Sequence, residues 1–367
     1  MAKDILDAVY GCMVGGAIGD AMGAPVEMWH YRDIREKYGK VKEFMPSERW
    51  NTGDQYGVPQ PEPLPPGRIT DDCTYRHYIA LAIIERGGRI TPTDLGKVWN
   101  ERVNPRRLWL NETIVHTKIH IGMNPWESGK GTCPTGCASM AISPIGIINA
   151  GNPAQAFQDG FNIAFVNQDG VNRDLAASLA AGVAAAFIPG ATPESVIEHM
   201  RKNSTEVARR AIEFAIDMAD VSSDCDEFTE RFYESVLMDW TWEHRGWTKE
   251  NLLSGSSTEI VPAVVGILKL CEGRTDDCII EGASFGRDND TISSIAGELA
   301  GAMEGASGIN PEWVEFVEQA NADFFVEVEG TPEKNFRSVS ERLVDALKNE
   351  REAAENRRRM LEEILAE

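Results

Sequence analysis

The chain has 367 residues, 42% of them hydrophobic, enough for one large core or two domains. Its 58 acidic residues against 36 Lys and Arg leave a formal net charge of −22, which argues against nucleic-acid binding, because phosphate contacts need a basic surface. Seven irregularly spaced cysteines and an N-terminus without signal-peptide layout fit a reduced, cytoplasmic protein.

A first helix is predicted over 3–20, with Ile5, Val9, Met13 and Ala17 as its apolar positions. The stretch that follows carries four glycines within 15–23, which calls for close backbone packing or positive φ. Glu27 comes after Pro25 and reads either as a base or as a solvated loop carboxylate. Residues 30–66 read as one irregular loop, proline-rich from Pro59 to Pro66, of the kind that forms a lid or substrate wall. Trp29, Tyr31, Trp50 and Tyr56 supply aromatic surface to it.

Gly67-Arg68-Ile69-Thr70-Asp71-Asp72-Cys73-Thr74 then opens a helix over 74–86, stopped by Gly87-Gly88. From residue 91 a capping residue followed by proline recurs at Thr91-Pro92, Asn152-Pro153, Thr192-Pro193 and Asn310-Pro311. No comparable series of strand patterns appears, so the fold is read as all-α. Further helices are predicted at 93–103, 112–121, 137–149, 153–165, 173–187, 193–202, 206–219, 225–237, 259–271, 276–283, 291–304 and 311–320. The apolar run Leu175 to Ile188 is too short to span a bilayer and reads as a buried helix.

His116 and His120, spaced i, i+4, read as a packed or surface pair, and Cys133 with Cys137 as weak evidence for zinc. Gly131 to Met140 is a Gly-containing loop opening a helix; it either contacts substrate through free N–H groups or merely turns the chain. Trp240, Trp242 and Trp247 either stack on a planar ring or pack on a neighbouring subunit. Asp276-Asp277 reads as an ordinary cap.

Ser284-Phe285-Gly286-Arg287-Asp288-Asn289-Asp290-Thr291 leads into a helix of small residues. Alone, this loop and the one around Asp71 each read as helix capping. If they meet in space, four acids at buried helix starts repel unless a cation neutralises them. Six oxygen-bearing side chains then suit one or two magnesium ions. The last stretch, 331–367, is a helical extension after a main domain at 1–330. Phe336, Val339, Leu343 and Leu347 form one apolar stripe; Met360, Leu361, Ile364 and Leu365 close a second, after a charged segment. It reads as a long helix packing at both ends, onto another subunit of a homo-oligomer.

Three motifs in this order resemble the ADP-ribosylglycohydrolase family: Gly19-Asp20-Ala21-x-Gly23-x-x-x-Glu27, Thr70-Asp71-Asp72 and Gly286-x-Asp288-x-Asp290-Thr291. The resemblance spans about residues 5–320. It implies a compact orthogonal multi-helix bundle and a magnesium enzyme that hydrolyses an N- or O-linked bond at the anomeric carbon of ribose. It assigns Thr70, Asp71, Asp72, Asp288, Asp290 and Thr291 to the metal ions. Glu27 matches the position of a catalytic or substrate-gating glutamate, with Asp71 as the other candidate base. Gly131, Gly136 and Ser139, with Arg287 and Asn289, form the expected substrate-contacting set.

The sequence also departs from the family. Arg287 stands where the family has a second glycine, and Asn289 where it has threonine. Thr135-Gly136-Cys137 and Met140-Ala141 replace a Gly-Asn-Gly and a Met-Arg pair, and Asn167-Gln168-Asp169 a Thr-His pair. These changes bear on diphosphate and adenosine contacts more than on the metals. The expected substrate is therefore an ADP-ribosyl compound or a smaller riboside, with no nucleic-acid or membrane partner. A non-catalytic metal- and ligand-binding protein on the same scaffold is the alternative.

Overall fold

A computed structural model describes residues 4–47, 64–235, 256–331 and 334–366. The described residues hold no β-strand, only isolated bridges between His30 and Gly286 and between Ser47 and Leu64. In chain order the helices are α1 (Ile5–Gly23), α2 (Tyr31–Tyr38), α3 (Asp71–Arg86), α4 (Pro92–Glu101), α5 (Leu110–His120), α6 (Ser143–Ile148), α7 (Pro153–Ala164), α8 (Gly170–Ala186) and α9 (Pro193–Lys202). They continue as α10 (Glu206–Asp220), α11 (Cys225–Tyr233), α12 (Ser257–Leu270), α13 (Thr275–Ser284), α14 (Asn289–Glu304), α15 (Pro311–Ala320), α16 (Ala322–Glu329) and α17 (Phe336–Leu365). The protein is an all-α multi-helix bundle.

Its centre is the antiparallel pair α1 and α14. Gly11, Gly15, Gly19 and Gly23 recur every four residues and so share one face of α1. A Cβ at these positions would lie 2.3 Å from the Gly301 carbonyl oxygen, 2.6 Å from that of Gly297, 2.3 Å from that of Ser293 and 2.4 Å from Asp290 Cα. Only glycine lets the two backbones approach this closely. Of the two roles open to the early glycines, close packing is the one they play, and α1 runs helical through Gly23, beyond the predicted end at 20. The seam fixes the C-terminal end of α1 against the N-terminal end of α14, where the acidic loop lies.

By length and composition the stretch Ile5–Val26 could cross a membrane, but 83% of its apolar 18-residue window is buried inside the protein. Its apolarity serves the core.

The structure corrects several predicted elements. Residues 31–38, expected to be irregular, form α2, capped by His30 Nδ1, which accepts from the Arg32 N–H at 3.1 Å. The helix expected over 137–149 is split into a 3₁₀ turn, Ser139–Ala141, and α6, starting one residue before Pro144. α11 ends at Tyr233 rather than 237. α16 follows α15 almost directly, with buried Asn321 as the joint. Asp276 and Asp277 do not cap α13: Asp276 accepts from the Asn310 N–H at 3.1 Å and Asp277 pairs with Arg274 at 2.5 Å. Trp50, Tyr56, Trp240, Trp242 and Trp247 lie outside the described residues.

Candidate active site

Two helix starts and one helix end build the site. At α3, Thr70 is the cap, its hydroxyl accepting from the Asp72 N–H at 3.2 Å. That leaves the carboxylates of Asp71 and Asp72, in the first turn, for another task. At α14, Asp288 occupies the cap position yet makes no side-chain capping bond. Its carboxylate turns instead to the side chains of Asp290 and Thr291. Capping, the simpler reading of both loops, does not account for the acids.

Glu27 reaches the site through the 3₁₀ turn Ala24–Val26. The next residue, Met28, has φ +67°, and Arg287 across from it has φ +60°. Both sit in the left-handed region, which costs a non-glycine residue about 1–2 kcal/mol. The two strained residues are bonded together: the Met28 N–H donates to the Arg287 carbonyl at 2.6 Å, and the Arg287 N–H to the Trp29 carbonyl at 2.8 Å. This short pairing holds Glu27 beside the acidic loop. Carboxylate oxygens of Glu27, Asp288 and Asp290 lie within 4.8 Å of one another.

Asp71 and Asp72 complete the cluster from α3. Burial raises the pKa of Asp71, Asp72 and Asp290 well above the ordinary carboxylate range. Neighbouring negative charge adds to it: Glu112 and Glu27 at Asp71, Asp20 and Asp71 at Asp72, Glu27 and Asp72 at Asp290. Asp72 Oδ1 is buried without a hydrogen-bond partner. Clustered carboxylates, an adjacent threonine hydroxyl and an orphaned acid oxygen are a donor set that fits a hard divalent cation.

Behind the cluster lies Asp20, which sequence reasoning left without a role. It is wholly buried and accepts from the Thr70 N–H at 3.0 Å and the Cys73 N–H at 3.3 Å. It thus pins the α3 start to α1. Arg76, also wholly buried, pairs with Glu298, donates to Ser294 at 3.2 Å and partly offsets the charge of Asp20.

The loop 131–140 does reach this cluster. Glu112, wholly buried, accepts from Asn167 Nδ2 at 2.8 Å, bonds the Cys137 thiol and faces Asp71. Thr135 accepts from Gln168 Nε2 at 2.7 Å and donates to Cys137 at 2.8 Å. Gly131 is exposed at the rim with φ +73°, and Gly136 is buried. Cys133 is exposed while Cys137 belongs to the Glu112 network, so the two do not form a zinc pair. His116 and His120 stack with ring centroids 5.9 Å apart, remote in role from the acids.

Three residues expected to touch substrate brace the walls instead. The Ser139 hydroxyl is wholly buried against that of Ser257 at 2.9 Å. Asn289 is wholly buried and donates to the Ala283 and Gly23 carbonyls at 2.5 and 3.3 Å. Arg287 is 2% exposed and makes a two-pronged ion pair with buried Glu259, at 2.5 and 2.7 Å.

Comparison with known proteins now has a geometry to rest on. The sequence model of the ADP-ribosylglycohydrolase family matches residues 1–356. The chain belongs to the ADP-ribosylglycohydrolase family. Its relatives include the uncharacterized protein YegU of Escherichia coli K12, 23% identical over 329 residues, 83% of this chain and 90% of that one. An uncharacterized protein of Archaeoglobus fulgidus is 26% identical over 308 residues, 83% of this chain and 89% of the relative. A solved structure described as an ADP-ribosylglycohydrolase-related protein complex superposes with a TM-score of 0.64, at 18% identity, over 93% of this chain and 98% of that one. That likeness supports the ADP-ribosylglycohydrolase fold, and the acid cluster of this family member is a candidate metal centre within it.

Proposed function

We propose that the chain is a magnesium-dependent glycoside hydrolase that cleaves an N- or O-linked ribofuranosyl bond. The observation that carries this reading is the convergence of Glu27, Asp288 and Asp290 within 4.8 Å, faced by Asp71 and by the orphaned oxygen of Asp72. Asp71, Asp72, Asp288, Asp290 and Thr291, with Thr70 beside them, would hold the cation. A bound magnesium ion supplies positive charge, orientation of vicinal sugar hydroxyls and a more acidic water.

The rest of the chemistry belongs to the chain. Glu27 and Asp288 are half-buried, whereas Asp71, Asp72 and Asp290 are buried, and with Asp288 given to the cation Glu27 is the acid left for the base. It is the carboxylate placed to accept the proton of an attacking water as the oxocarbenium-like transition state forms. The φ-strained Met28–Arg287 pairing keeps it from swinging away. Asp20 and the Thr70 cap hold the α3 acids at a fixed height.

Substrate size follows from the walls. Arg287 has its charge neutralised by Glu259 and is not offered to a diphosphate. Cys137 is bound into the Glu112 network. Both features favour a compact riboside or nucleoside-like substrate over an ADP-ribosylated one. The test is release of free sugar from ADP-ribosyl-arginine, O-acetyl-ADP-ribose, nucleosides and simple pentofuranosides, with and without chelator. Chelator-sensitive release from a small furanoside supports the reading. Magnesium binding with no release from any compound would favour a non-catalytic binding protein.

A further inference from the structure

The second half of α17 stands outside the body of the protein. The helix is 30 residues long, about 45 Å. Its first half is fastened: Phe336, Val339 and Leu343 are buried, and Asn349 and Glu350 bond the end of α3 at Gly87 and Arg89. From residue 351 to 366 every residue is exposed. A free helix of that length is marginal in water. Its tip carries Met360, Leu361, Ile364 and Leu365, which are 59%, 41%, 61% and 81% exposed, on two adjacent turns. A monomer gains nothing from such a tip.

An apolar groove of about 710 Å³ lies along the same helix where it leaves the body. Ile148, Phe187, Pro189, Val344 and Leu347 line it, and Arg89 and Lys348 are among its basic residues. A straight helix cannot bend its own tip back into a groove beside its middle. We infer that the groove receives the α17 tip of a second copy of this chain, in a reciprocal antiparallel helix pair.

The register follows from spacing. Leu361 set on the partner's Leu347 and Ile364 set on the partner's Val344 share one midpoint, residue 354. That residue is Ala354, preceded by Ala353, so the crossing point carries small side chains that allow close approach. The same register sets Glu350 against the partner's Arg358, a pair of opposite charge. Each copy supplies both the tip and the groove, the self-complementary arrangement of a two-fold dimer.

The test uses the full chain. Light scattering is expected to give twice 40.5 kDa for the wild type and 40.5 kDa for Leu361→Glu/Ile364→Glu, with the thermal midpoint of the body unmoved. Ala354→Cys, made with Cys133→Ser because Cys133 is exposed, is expected to cross-link two copies under mild oxidation. A wild type that stays at 40.5 kDa at every concentration overturns the inference, as does a dimer untouched by the double substitution. A dimer in which Glu363→Cys cross-links and Ala354→Cys does not overturns the antiparallel register.

Discussion

The Arg287–Glu259 pair offers the sharpest test of how this site is held. Both partners are buried, at 2% and 3% side-chain exposure, and joined by two bonds. Glu259→Gln leaves the guanidinium without its counter-charge, and removing one partner of a buried pair costs about 3–5 kcal/mol. At about 2.1 cal/mol/K per residue of unfolding entropy, that loss lowers the thermal midpoint of this chain by about 4–6 °C. Arg287→Gly strands the Glu259 carboxylate instead, but recovers about 1 kcal/mol of φ strain, so its drop is smaller. Glu259→Gln combined with Arg287→Gly removes both charges and the strain. The double variant is expected well above the sum of the single effects, its remaining deficit being the cavity left by the arginine side chain. Thermal unfolding by calorimetry at pH 7 measures all four proteins. Additive losses in the double variant would refute the claim that the pair, rather than each side chain separately, secures the loop.

Further outcomes follow from the same geometry. Gly19→Ala puts a Cβ 2.3 Å from the Ser293 carbonyl oxygen, so it is expected to cost about 1–3 kcal/mol in thermal unfolding and to weaken magnesium binding by opening the α1–α14 seam. Asp71, Asp72 and Asp290 have folded pKa values raised above their unfolded ones, so their contribution to metal-free stability is present at low pH and lost as pH rises through the folded values. The stabilisation by magnesium, about 2.7 kcal/mol at a hundredfold excess over Kd, is therefore expected to grow from pH 5 to pH 8 in thermal scans; an increment that shrinks with pH would contradict this. Glu27→Gln is expected to lower kcat by about 10²–10⁴ while magnesium affinity changes only a few-fold, as steady-state kinetics and titration can show.

The acidic helix starts were legible because Thr70-Asp71-Asp72 and Asp288-x-Asp290-Thr291 offer more oxygens than a cap can use, and the structure shows Thr70 alone doing the capping at α3. The glycine stripe of α1 was legible as close packing or a loop, but its partner face, 301, 297 and 293, is nearly 300 residues away and nothing local names it. Asp20 lay inside a quoted motif, yet its role depends on the Thr70 and Cys73 N–H groups fifty residues on. Glu112 and Glu259 were invisible for the same reason: each is one acid in a helix until folding sets it against Asp71 or Arg287. Arg287 was noticed as a departure, but a lone arginine in a sequence reads as a ligand contact, not as a neutralised wall. α2 was missed because only Tyr31 and Ile34 of its eight residues are buried, too few for a periodic apolar signal.

The central claim is that the acid cluster binds a hard cation. The most direct measurement is calorimetric titration of magnesium into the metal-free wild type, Asp72→Asn and Asp290→Asn at pH 7.5, with circular dichroism to establish that each is folded. Saturable binding of one or two ions by the wild type, weakened at least tenfold in both folded variants, is the predicted result. No saturable binding by the wild type, or equal binding by all three, would contradict it.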